Sequence, residues 1–177
     1  MDTEVDRILA ARTARLARAS GTAPIAPHAV LSLIVCRADA LSFAVPTTYV
    51  LSAIAVDQLG MLPGVSPTVA GLVNFRGAPL LALHPSILLD RARRGLAERT
   101  HALVLGQQHA EVALLVDATE QSRAVALETL ASPPRDLPEA TQGLLLGVTE
   151  DGVVVLNVEA LFDSDRLLAN TYIRRRM

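Results

Sequence analysis

The side chains able to do chemistry are few and scattered. Four histidines, His28, His84, His101 and His109, stand at spacings that pair none of them as metal ligands, and the single cysteine, Cys36, has no second thiol to help it. Cys36 lies in an apolar run between Val35 and Arg37 and reads as a small buried hydrophobe, since only Arg37 is placed to stabilise a thiolate. No G-x-S-x-G elbow and no phosphate-binding loop occurs. The glycines of "GLVNFRG" (71–77) are spaced wrongly for a dinucleotide turn, and Asp117 and Glu120 have no obvious acid or base partner nearby. The inventory points to no metal, no cofactor and no enzyme. What remains is Arg76, between Asn74 and Gly77, on a turn that joins two apolar runs. It is either a solvated arginine on an ordinary hairpin or a guanidinium displayed for a partner.

The elements that must carry that turn are short. Apolar runs 29–36 and 40–45 flank Arg37 to Asp39; 68–75 and 78–83 flank Arg76-Gly77; 101–106 and 111–118 flank Gln107 to Ala110; 143–149 and 153–158 flank Asp151-Gly152. Four such pairs, with no long helix between them, predict antiparallel hairpins, and strands this apolar favour closure into small barrels that hide their edges. Gly71 sits inside a strand, where glycine is otherwise unfavourable, so a close backbone approach is expected there. Segment 84–100 predicts a helix, with Pro85 in its first turn, Ile87 to Leu89 as anchors and Gly95 at its end, and it divides the β pattern roughly in half. "SPPRDLP" (132–138) is a loop, and Asn157 is placed to cap a closing helix whose end is complemented by Arg174 to Arg176.

Residues 2–19 predict a further helix with Val5, Ile8, Leu9 and Leu16 on one side and Arg12 interrupting the stripe. It reads either as a solvated segment or as a basic amphipathic one that touches a membrane or a partner. Gly and Pro make 20–29 a linker. The expected division is therefore an N-terminal extension over 1–27 and a domain over 28–177. Because every long apolar run lies within 29–168, deletion of residues 1–24 is expected to change stability by less than about 1 kcal/mol, and a thermal melt without a cooperative transition would contradict this.

Composition narrows the partners. Of 177 residues, 51% are hydrophobic but only 3% are aromatic, which argues against a single-stranded nucleic-acid platform built on stacking. The net charge of −2, with every basic residue an arginine, gives no electrostatic footprint for DNA or RNA. One cysteine requires no oxidising compartment, and neither a signal peptide nor a membrane-length apolar segment is seen, so a cytoplasmic location is expected.

The order of motifs resembles the CheW family of bacterial chemosensory adaptors over about residues 28–168. The resemblance is carried by "LSFAVP" (41–46), "LPGVSPTVAGLVNFRG" (62–77), "LLVDAT" (114–119) and "PPRDLPEATQGLLLGVTEDGVVVLNVEALF" (133–162). It implies a mainly β fold of two small five-stranded SH3-like barrels with a hydrophobic groove between them; the C-terminal helix closes this domain, and the N-terminal helix is an extension beyond its minimal form. It also implies a non-enzymatic scaffold that couples the cytoplasmic tips of chemoreceptors to the regulatory domain of a CheA-type histidine kinase, with the membrane reached only through the receptor. Carried over by motif, the partner-binding positions are Gly71, Asn74, Arg76 and Gly77 from the first lobe, Val50 ahead of a first-lobe strand, and Val112 from the second lobe. The chain departs from the family pattern at Ser52, where an acidic partner for Arg76 is usual, and at "LHPS" (83–86). These departures leave open a divergent pathway such as pilus motility, and outside the family a small-ligand-binding barrel or a hydrolase remains to be weighed.

Overall fold

A computed structural model describes residues 29–91 and 101–164; the expected helix over 2–19, the linker up to His28, Gly95 and the chain beyond residue 164 lie outside them. The strands are β1 (Val30–Ala38), β2 (Leu41–Pro46), β3 (Val50–Ala55), β4 (Val69–Phe75), β5 (Ala78–Leu83), β6 (His101–Gly106), β7 (Ala110–Val116), β8 (Ala118–Ala126), β9 (Leu145–Val148) and β10 (Val154–Leu156). Among the described residues three short α-helices, α1 (Pro85–Leu88), α2 (Glu139–Gln142) and α3 (Val158–Phe162), join them. All four expected hairpins form, as β1–β2, β4–β5, β6–β7 and β9–β10. The first of them turns at Asp39-Ala40, one residue later than the apolar runs suggest, because Asp39 takes the left-handed conformation (φ 55°) that a two-residue turn requires. Helix α1 has Pro85 in its first turn as expected, but it stops at Leu88; Asp90 at φ 53° ends it, well short of Gly95. Asn157 caps α3, its side chain accepting the Ala160 N–H at 3.1 Å.

Two five-stranded sheets result, in the orders β8-β1-β2-β10-β9 and β3-β6-β7-β5-β4. The second is continuous in sequence and forms a central lobe; the first is built from both flanks and forms a terminal lobe. The chain does not divide in half at 84–100, as the apolar pattern suggests. That segment connects β5 to β6 inside the central lobe, and the lobes are separated by the crossings between β2 and β3 and between β7 and β8.

The lobes share one wiring, circularly permuted. Each has a parallel central pair, β5 with β7 and β2 with β10, flanked by antiparallel neighbours. In each, a bulge interrupts the pairing of the outermost long strand, at Val50/Ser52 and at Ile34/Cys36. The residue after the second hairpin strand donates its N–H to the carbonyl before the first, His84 to Thr68 and Asn157 to Leu144, both at 2.8 Å. A single antiparallel bridge then draws the two sheet edges together: Gly60 with Leu72, and Ala131 with Val148. In both lobes a glycine beside the bridge admits it. A Cβ on Gly71 would lie 2.5 Å from the Gly60 carbonyl oxygen, and one on Gly147 would lie 2.6 Å from that of Ala131.

Side-chain alternation along the strands divides the core in three. Val73, Ala82, Val104 and Leu115 fill the central lobe, and Leu33, Val35, Ala44 and Val155 fill the terminal lobe. The opposite faces, with Phe43, Val45 and Leu156 from one sheet and Leu83, Leu103 and Leu114 from the other, share a single cluster that joins the lobes. Each fully buried Leu or Phe contributes roughly 1.5–3 kcal/mol, so this shared core holds the lobes together.

Candidate partner-binding site

Strands β4 and β5 close on a two-residue turn, with Phe75 opposite Ala78. Arg76 has φ 53° and Gly77 φ 85°, the type I′ pattern that matches the right-handed twist of the strands. Asn74 fixes the turn, its Oδ1 accepting the Gly77 N–H at 2.9 Å. The Arg76 guanidinium carbon lies 5.0 Å from the centre of the Phe75 ring, a cation–π contact that holds the charge over the hairpin tip. Arg76 is exposed and forms no ion pair among the described residues. Ser52, half-buried in β3, offers no carboxylate.

The remaining sequence-predicted positions fall in the same lobe. Val50 opens β3 and pairs with Leu105, which pairs in turn with Val112. All six residues therefore belong to the central lobe, four in its sheet and Arg76 and Gly77 in its β4–β5 turn, and Val112 does not come from the other lobe, because β7 lies inside the central sheet. Val112 is 1% exposed and packs in the core that joins the lobes, so it can support a surface but cannot touch a partner. Gly71 is also buried; its missing side chain faces the Gly60 backbone and not an open groove. Val50, half-buried, and Asn74, Arg76 and Gly77, exposed, remain accessible.

Sequence reasoning missed the neighbours of these positions. Tyr49, which precedes Val50 in the crossing between lobes, donates its hydroxyl to Glu159 at 2.6 Å and packs edge-on against Phe162 of α3 (6.3 Å between centroids, 77°). The hydrogen bond to Glu159, then burial, then the charge of Glu159 push the Tyr49 hydroxyl pKa up. Met61 is 89% exposed and follows Gly60, the residue bridged to β4. Neither residue stands in a recognisable motif; the only sequence signal for Phe75 was its place directly before Arg76.

The terminal lobe presents the corresponding turn, at Asp151-Gly152, in another state. Arg123 lies in β8 and grips Asp151 with its two terminal guanidinium nitrogens, at 2.7 and 3.0 Å. The Thr149 hydroxyl donates to the same carboxylate at 2.6 Å. Arg123 first and Thr149 second hold the Asp151 carboxyl well below the usual range. A lowered folded-state pKa means that the stabilisation from the tether is complete above the ordinary carboxylate value of about 4, declines as pH falls beneath it, and is gone once pH passes the lower folded-state value. The difference in melting temperature between wild type and Asp151→Asn is accordingly expected to be present at pH 7 and to shrink below about pH 4; a difference that grows in acid would contradict the pairing.

A cleft of about 820 Å³ beside this tether is lined by Asp90, Arg91, Glu120, Arg123 and Asp151, together with residues of the β1–β2 turn. It is charged, unlike the hydrophobic groove that the family resemblance implies. Cys36 is fully buried and its thiol is pushed up to about 12, by burial and then by Glu120, which disfavours the thiolate. Among the described residues no group of three His, Cys, Asp or Glu could hold a metal, and no helix is long and apolar enough to cross a membrane.

Residues 32–166 match the family model of the CheW-like domain. No curated protein matches the chain. Among solved structures, the scaffolding protein TtCheW from Thermoanaerobacter tengcongensis is similar at a TM-score of 0.63 and 14% identity, with 78% of this chain and 96% of that one covered. That likeness is one of fold.

Proposed function

The chain belongs to the CheW-like family, and on that premise we propose that it is a non-enzymatic adaptor that couples chemoreceptor tips to the regulatory domain of a CheA-type histidine kinase, with the β4–β5 hairpin of the central lobe as a contact surface. The observation that carries the reading is the conformation of Arg76. A left-handed backbone costs a β-branched or long side chain roughly 1–2 kcal/mol, and both turn positions of a type I′ hairpin favour Asn, Asp or Gly. An arginine held there against local preference, stacked on Phe75 and without a counter-charge among the described residues, is explained by what its side chain meets outside the chain. The corresponding turn of the terminal lobe carries a charge already matched by Arg123.

A small-ligand barrel is the weaker reading, since both lobe interiors are filled by aliphatic side chains. Affinity capture with the full chain as bait, from the cell that makes it, is expected to retain a histidine kinase together with receptor. Recovery of neither under conditions where the bait remains folded would overturn the assignment.

A further inference from the structure

The lobes meet through an apolar core, and apolar contact has no preferred direction. Among the described residues, directional bonds cross the same junction around helix α1, besides the Tyr49–Glu159 bond at the β2–β3 crossing. Helix α1 follows β5 of the central lobe, yet it contacts the terminal lobe at both of its ends. At its start, Ser86, 1% exposed, donates its hydroxyl to Asp39 Oδ2 at 2.6 Å. Asp39 is the turn residue between β1 and β2. Just past its other end, Asp90 accepts a hydrogen bond from Thr141, a fully buried residue of α2. Asp39 and Asp90 both hold left-handed backbone conformations, which aim the two carboxylates across the junction. The Asp39 N–H donates to Asp117 Oδ2 at 2.6 Å, and Asp117 is the single residue between β7 and β8, where the chain returns to the terminal lobe.

We propose that α1 is a latch: its two hydroxyl–carboxylate contacts, Ser86 with Asp39 and Thr141 with Asp90, fix the angle between the lobes, which the apolar core alone leaves adjustable. Hydrogen bonds to carboxylates are shorter and stronger than neutral ones, and with both hydroxyls, Ser86 and Thr141, buried these contacts tolerate little change in angle. The latch stands whatever partners the chain binds.

The test uses the full chain with nitroxide labels at Ala55→Cys in β3 and Ser122→Cys in β8, both exposed and one on each lobe. Cys36, buried with its thiol pushed up to about 12, stays unlabelled. Pulsed EPR is expected to give one narrow inter-label distance for the unmodified latch. Ser86→Ala combined with Thr141→Val should at least double the width of that distribution, whereas Thr141→Ser, which keeps the hydroxyl, should leave it narrow. A double variant as narrow as the parent, or Thr141→Ser as broad as Thr141→Val, would overturn the latch. Should the double variant not fold, the comparison of Thr141→Val with Thr141→Ser decides by the same criterion.

Discussion

Gly71→Val is expected to destabilise the protein by roughly 2–6 kcal/mol, because it combines backbone strain with crowding. Gly71 sits at φ 147°, and its added Cβ would lie 2.5 Å from the Gly60 carbonyl oxygen, a backbone atom that can yield only if the Gly60–Leu72 bridge breaks. Two other glycines separate the causes. Gly64 has φ 76° with open space around it, so Gly64→Ala meets strain alone, about 1–2 kcal/mol. Gly147 meets the Ala131 carbonyl at 2.6 Å, so Gly147→Val meets crowding. At roughly 2–4 °C per kcal/mol for a chain of this size, thermal melts resolve the order Gly71→Val well below Gly64→Ala. Equal melting of those two variants would remove the bridge from the account. A binding loss in Gly71→Val without a melting loss would return this residue to the partner surface.

Arg76→Ala is expected to leave melting nearly unchanged and to weaken assembly with kinase and receptor at least tenfold, about 1.4 kcal/mol. The exposed cation–π contact with Phe75 contributes roughly 0.5–1 kcal/mol, and removing a left-handed arginine relieves no more than it loses. Arg76→Asn sharpens the test. Asn suits the first position of a type I′ turn, so this variant should melt at or slightly above wild type while binding as poorly as Arg76→Ala. Arg76→Lys keeps the charge but not the planar fork and should fall between. Arg123→Ala is a poor control, since it breaks the Asp151 tether; Arg135→Ala, exposed in the proline-rich loop, is the suitable one.

The hairpins were legible because each joins two apolar runs at residues that permit a turn, and such signals are local. Strands β3 and β8 were not. "VLSAIA" is short and alternates half-buried with exposed, and "ATEQSRAVA" is largely polar because its residues face water at a sheet edge. Lobe membership was also hidden, since it depends on the parallel pairs β2–β10 and β5–β7, whose partners lie far apart in sequence. The close approach at Gly71 could be read from a glycine inside a strand, but its partner Gly60 could not. The Arg123–Asp151 pair was not legible either, because its partners stand 28 residues apart. Val112 was taken for a contact because motif position alone says nothing of burial. At Arg76 the sequence posed the right question, and the left-handed turn supplied the reason to favour a displayed charge.

The most direct test of the adaptor reading is a titration of the folded chain against a CheA-type regulatory domain in the presence of a receptor cytoplasmic tip. A saturable complex of fixed stoichiometry, weakened at least tenfold by Arg76→Ala and unaffected by Arg135→Ala, is the predicted result. No saturable binding by the folded wild-type chain, or equal binding by wild type and Arg76→Ala, would contradict it.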